Sequence, residues 1–230
     1  MMILNPNLST KLIKCNSMFR LILIMVGLFF CSGQVFCLES GLQEKIKGIS
    51  PNAVVVLLSP DLKFESVVDE SSIDPAFFDS EKLDSLCIGE AKNAVIKNNS
   101  QLRIIDKGNA VRTSYEVLLL SLKPFSGQLA AGKINQDALS VFRKISALNN
   151  ESFVLAHDLY AKIGPGGYWN PGTGGIASTS SISRYRIALI RCLTGDVVWK
   201  SEEYIRQVPS YKSSKFIRFI KFSYGESNQK

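Results

Sequence analysis

The residue types that could do chemistry in this chain are few: one histidine, two cysteines in the body of the sequence, and several clusters of charge or glycine. His157 is followed by Asp158 inside an alternating apolar stretch, Phe153 to Ile163. A Ser-His-Asp or Cys-His centre needs the histidine beside a nucleophile and an acid behind it. Neighbours on a strand point to opposite faces, so Asp158 cannot orient His157. A zinc site built from His157, Cys87 and Cys192 lacks any Cys-x-x-Cys or His-x-x-x-His spacing. The residues favour a hydrogen-bonded structural histidine, and a secreted hydrolase or metal enzyme centred on His157 stands as the alternative function. No metal or cofactor is called for.

Gly164 to Gly175 holds six glycines and two prolines in twelve residues. No Lys-Ser/Thr follows it and a strand, not a helix, comes next, so it is not a phosphate-cradling loop. Tyr168, Trp169 and Asn170 within it could instead form a rigid amphipathic contact for a partner, glycan or membrane surface. The competing reading is a connection between strands whose aromatics fold back. Asp61, Glu65, Asp69, Glu70, Asp74 and Asp79 gather acids without calcium-loop spacing, which makes a solvated acidic crossover. Lys215, Arg218 and Lys221 interleave with Phe216, Ile217, Phe219, Ile220 and Phe222. Such a basic amphipathic helix can meet an anionic membrane or a partner groove, or pack its apolar face on the sheet.

The address is clearer than the reaction. Met18-Phe19-Arg20 precedes an unbroken apolar run, Leu21 to Phe30, and a more polar stretch reaching Cys37. This is the pattern of a secretory signal, too short to be a stable membrane anchor. Met18 is an alternative start. Cleavage after Cys37 or Gly33 and acylation of Cys31 or Cys37 both remain open, although Phe30 and Phe36 stand where a lipobox wants Gly or Ala. The expected location is periplasmic, with outer-membrane association if lipidated. Without residues 1–37 the chain keeps 24 basic against 20 acidic residues, too mild an excess to point to nucleic acid. Cys87 and Cys192 then form an even pair in an oxidising compartment. A bridge between them would add ~4 kcal/mol in the chain-entropy model; two buried free thiols are the other reading.

These side chains need elements to position them. Ala53 to Leu58 is an apolar, β-branched run that reads as a central strand. Residues 61–78 read as an irregular crossover. A helix follows from about Ser80 to Lys97, capped by Asp79 or Ser80, with Leu83, Leu86, Cys87, Ala91, Ala94 and Val95 on one face. Leu102 to Asp106 is a second strand, completing a parallel βαβ unit. Helices are expected over Val111–Leu122, stopped by Pro124, and Asn135–Leu148, with a loop marked by Ser126-Gly127 and Gly132. Ser181 to Arg191 alternates, placing Tyr185, Ile187 and Leu189 opposite Arg184, Arg186 and Ala188. It turns at Leu193 to Asp196 into a returning strand at Val197. A final helix spans Lys215–Phe222. The fold class is α/β: a single-domain sandwich, a mixed sheet with flanking helices and a C-terminal antiparallel hairpin. The organisation is a signal segment (1–37), a lead-in (38–50), the domain (51–224) and a tail (225–230).

One stretch resembles a known group. Val154-Leu155-Ala156, the Gly/Pro/Trp loop, and the run Arg186 to Lys200 with its Thr194-Gly195-Asp196 turn and Val197-Val198-Trp199 are similar to the α/β module of bacterial envelope proteins. That group comprises the curli-secretion lipoprotein family, the TolB amino-terminal domain and lipoproteins that activate peptidoglycan synthases. The apolar first strand ending in Pro60-Asp61 fits the same start. The resemblance implies an accessory or assembly role at the envelope, without catalysis. The expected partner is an envelope protein, with peripheral membrane contact where the basic helix or the aromatic loop supplies it. It transfers no catalytic residue. Nothing matches the long amphipathic hairpin of a secretion channel, so no channel activity comes with it.

Overall fold

The computed structural model describes residues 41–66, 79–111, 113–164, 168–170, 175–177 and 181–225. By its contacts the chain forms two units, Met1–Glu39 and Ser40–Lys230, and every described residue belongs to the second. The signal segment, and Cys31 and Cys37 with it, lie outside the described residues.

The second unit is an α/β fold around a six-stranded mixed sheet. Its helices are α1 (Leu42–Lys47), α2 (Ser80–Asn98), α3 (Ser114–Leu122), α4 (Ser126–Ala130), α5 (Gln136–Leu148) and α6 (Ser214–Ser223). The sheet strands are β1 (Val54–Leu57), β2 (Asp61–Ser66), β3 (Arg103–Ile105), β4 (Ser152–Ile163), β7 (Ile182–Arg191) and β8 (Val197–Ile205). A separate two-stranded ribbon joins β5 (Tyr168–Asn170) to β6 (Gly175–Ala177). The main order is β3-β1-β4-β7-β8, parallel among the first three and antiparallel from β4 to β8.

β1 is buried along its whole length, as its unbroken Val-Val-Val-Leu run requires of a strand covered on both faces. Each such side chain contributes about 1.5–3 kcal/mol. Helix α2 starts where Asp79 accepts from the Lys82 amide at 3.0 Å, and α5 where Asn135 accepts from the Ala138 amide at 2.8 Å. In α6 the Ser213 hydroxyl accepts from the Phe216 amide at 3.2 Å. Each bond satisfies one of the orphan donors of a first helical turn.

Three expectations are corrected. Residues 61–66 are strand, not crossover: β2 pairs parallel with β4 and prolongs the line of β1. Leu57 faces Leu155 and Asp61 faces Asp158, so Leu58, Ser59 and Pro60 oppose only Ala156 and His157, a bulge at the proline that has no amide to give the ladder. Ser126-Gly127 is helical rather than loop. Pro124 sits in the first positions of a 3₁₀ turn, Lys123–Phe125, that leads straight into α4 and needs no amide there. The third is the glycine-rich segment, part of which is the β5–β6 ribbon, with Trp169 opposite Ile176 in the backbone register.

Two cores flank the sheet. Core one joins Leu42, Leu83, Cys87, Ala91, Phe216 and Ile220 of α1, α2 and α6 to Val55, Leu155, Ile187 and Trp199. Core two joins Leu118, Leu129, Phe142 and Ile145 of α3, α4 and α5 to Val54, Val154, Ala188 and Cys192. Cys87 and Cys192 therefore lie on opposite faces of the sheet, both free and buried. The Cys87–Cys192 bridge that the cysteine count allowed does not form, because a disulfide needs Cβ atoms on the same side and close together.

Candidate functional site

His157 and Asp158 take the opposite faces that strand alternation demands, and their surroundings differ completely. His157 points into core one and is 0 % exposed. Its Nδ1 lies 2.8 Å from the Tyr185 hydroxyl and 2.8 Å from that of Tyr224, and the two hydroxyls are 2.6 Å apart. The Tyr224 hydroxyl also reaches the Cys87 carbonyl at 3.4 Å. An Nδ1 that accepts a phenolic proton places the ring hydrogen on Nε2, which is buried without a partner among the described residues.

Burial alone holds the imidazole down at about 3, so it is neutral at any ordinary pH. Desolvation likewise pushes Cys87 up to about 12 and lifts Tyr185 and Tyr224 well above the usual phenol range. The side chains of this cluster are buried, and among the described residues no carboxylate hydrogen-bonds to them. The cluster fastens β4, β7 and the end of α6 together. The hydrolase or metal-enzyme alternative rested on the His157 side chain, which is buried here, whereas a general base must reach a substrate proton. Among the described residues, no group of His, Cys, Asp and Glu is arranged to hold a metal ion.

Asp158 belongs to the other face, where helices α3, α4 and α5 cover only part of the sheet. Gly127 of α4 seats against Asp61; a Cβ at that glycine would fall within 2.2 Å of the carboxylate oxygen. Beyond it this face of the strands carries half-buried and exposed polar side chains around the buried Asp158. The register aligns Asp61 with Asp158, Asp158 with Arg186, Arg186 with Glu202, and in the next row Lys63, Tyr160, Arg184 and Tyr204. These are cross-strand neighbours on one face.

Asp158, 1 % exposed, receives Arg186 Nε at 2.7 Å and Arg184 Nη2 at 3.2 Å. Arg184 lies 5.1 Å above the Tyr160 ring, within cation–π range, and approaches Glu202 at 3.7 Å. The Tyr160 hydroxyl donates to Glu65 at 2.7 Å and that of Tyr204 to Glu202 at 2.6 Å; each bond raises the phenol's pKa above its ordinary value. Tyr204 is 62 % exposed; Glu202 beside it and Lys63 at the other end of the row also reach water. The result is a cross-strand lattice of guanidinium, phenol and carboxylate, half-buried at its centre and exposed at its ends, around a buried acid.

Other expected site residues fall elsewhere. The backbone of Tyr168, Trp169 and Asn170 forms β5, while their side chains lie outside the described residues. Lys215, Arg218 and Lys221 sit on α6, whose Phe216, Phe219 and Ile220 are buried; Lys215 and Arg218 face solvent, and Lys221 approaches Glu90 at 3.6 Å. The acids Asp69, Glu70 and Asp74 also lie outside the described residues. Sequence reading missed the lattice. Alternation had set Arg184 and Arg186 on one face, but only the register brings Asp158, Tyr160 and Tyr204 beside them.

No family model matches the chain, and no curated protein does. Among solved structures it is similar to the PelC dodecamer from Paraburkholderia phytofirmans, at 11 % identity over 76 % of this chain and 88 % of that one, TM-score 0.34. It is similar also to the LpoB C-terminal domain from Escherichia coli, at 15 % identity over 75 % and 100 % of the two chains, TM-score 0.33. A third is lipoprotein GNA1162 from Neisseria meningitidis, at 10 % identity over 67 % and 80 %, TM-score 0.30. Likeness at this level carries no argument about activity or partner.

Proposed function

We propose that the protein is a non-enzymatic accessory protein of the bacterial cell envelope that binds a protein partner through the open face of β2, β4, β7 and β8. The observation that carries this reading is the Asp158-anchored lattice. Arg184 and Arg186 are already fixed by a buried carboxylate, so a partner that meets them loses little side-chain freedom. Tyrosine and arginine are also the side chains that most often anchor protein interfaces. The sealed His157 supports a role without catalysis. The charged start and apolar run of Leu21 to Phe30 support export to the periplasm, with association to the outer membrane if Cys31 or Cys37 is acylated. The β5–β6 ribbon with Tyr168, Trp169 and Asn170, and the outer face of α6 with Lys215, Arg218 and Lys221, are secondary contact surfaces in this proposal.

The test places a photo-crosslinking side chain at position 204 and, in parallel, at position 218, in cells expressing the full chain. A discrete light-dependent adduct from position 204, lost on adding Tyr160→Ala, supports the reading. Adducts from 218 alone move the contact to α6 and overturn the open face as the binding surface.

A further inference from the structure

Helix α3 reads Ser-Tyr-Glu-Val-Leu-Leu-Leu-Ser-Leu, and it is apolar on more than one side. Tyr115, Leu118 and Leu122 fill core two. On the opposite side Val117 is 68 % and Leu120 63 % exposed, one turn apart. Val111 just before the helix is 53 % exposed, and Leu148 at the end of α5, which packs against α3, is 48 % exposed. A helix that is apolar all round is normally covered all round, and contiguous exposed aliphatic side chains on a soluble domain mark a contact.

The stretch of chain that carries this ridge is basic in balance, although Glu116 stands beside Val117. From Lys107 to Leu148 the chain carries six basic residues and two acidic ones. Lys123, Lys133, Arg143 and Lys144 are exposed, and among the described residues none of them has a carboxylate within ion-pair distance. We infer that the α3–α5 face lies on an anionic lipid bilayer, with Val117 and Leu120 entering the headgroup–acyl boundary and the four basic side chains meeting lipid phosphates. Composition selects this occupant over a protein. The exposed side chains here are branched aliphatic ones, and among the described residues no exposed aromatic anchor of the kind protein interfaces use lies beside them on α3 or α5. Aliphatic groups ringed by lysine and arginine are what an interfacial helix presents. This surface is separate from the β2–β4–β7–β8 face and stands or falls independently of it, while the exported location places a bilayer within reach.

The experiment uses the full chain with a polarity-sensitive fluorophore as a non-natural side chain at position 120 or, as control, at position 218. Each is mixed with vesicles of phosphatidylcholine alone or of phosphatidylcholine with phosphatidylglycerol. Emission from position 120 shifts to the blue on the phosphatidylglycerol vesicles only, and position 218 does not move. The double change Arg143→Gln/Lys144→Gln lowers the docked-to-free ratio about thirty-fold, at roughly five- to six-fold per basic residue. No shift at position 120, or an equal shift on both vesicle types, overturns the inference. A shift that grows with protein concentration in the absence of lipid assigns the face to a second copy and overturns it too.

Discussion

Replacing His157 by phenylalanine should flatten the acid side of the protein's stability curve. The folded chain holds the imidazole neutral down to about 3, whereas an unfolded histidine titrates at 6.5. Below pH 6.5 the unfolded chain takes up a proton that the folded chain refuses, so stability present above 6.5 is lost as the pH falls towards 3. At about pH 5 the linkage removes about 2 kcal/mol, and at about pH 3 it would remove about 4 kcal/mol. Phenylalanine has the right size for the ring's place and leaves the Tyr185–Tyr224 hydrogen bond intact, so near neutrality the variant loses only the bonds at Nδ1, about 1 kcal/mol each. Urea unfolding of both proteins at neutral pH and about pH 5, followed by tryptophan emission, gives the comparison. Every other titrating group is common to the two, so their difference isolates one site. The wild-type advantage should shrink by about 2 kcal/mol and change sign if it began below that value. Parallel curves would mean that the imidazole finds a proton partner or water in the folded state, and the sealed-cluster account would be wrong. If the phenylalanine variant does not fold, His157→Gln removes the same titration while keeping an amide for the tyrosines.

Three further outcomes follow from the same geometry. Asp158→Ala should cost about 2–3 kcal/mol, because it leaves Arg184 and Arg186 side by side without their buried carboxylate; their own partial exposure keeps the loss below that of a deep ion pair, and thermal unfolding reads it directly. Gly195→Ala should cost about 1–2 kcal/mol in urea unfolding, since Gly195 turns at φ +77° and a Cβ there would come within 2.5 Å of Leu139 Cδ2. Cys87 and Cys192, both pushed up to about 12, should escape alkylation at mildly alkaline pH until the chain is denatured, as peptide mapping would show; modification of either one in the folded protein would contradict its burial.

The elements were legible wherever one face alone decides the pattern. Helix α2 announced itself through Leu83, Cys87, Ala91 and Val95 on one stripe and Asp79 at its start, and β7 through strict alternation. Failures came where the signal is an interaction rather than a period. Asp61 to Ser66 looked like an acidic crossover because its alternate residues, Leu62 and Phe64 against Asp61, Lys63 and Glu65, bury one face and leave the other to charge. An edge segment with a half-open face resembles a loop in composition. Ser126-Gly127 looked like a loop because glycine and a nearby proline usually end helices. Here the glycine is needed for close approach to Asp61, and the proline opens the 3₁₀ turn. The Cys87–Cys192 pairing failed for a simpler reason: parity of number says nothing about which side of a sheet each thiol occupies.

The open lattice was hidden for a related reason, and that reason bears on function. Its members come from four strands, and no two of its charged partners lie within twenty positions of one another except along a single strand or across the β7–β8 hairpin. Each residue alone reads as an ordinary surface charge. Register converts them into a unit by putting Asp158 between Asp61 and Arg186 while its neighbour His157 goes inward. Successive residues of β4 thus divide the work. The side chain most suited to catalysis closes a core, and the side chain next to it organises a surface. A strand arranged this way can present a fixed pattern of charge and aromatic rings to another molecule, and that pattern is what the proposed binding role would use on the β2–β4–β7–β8 face.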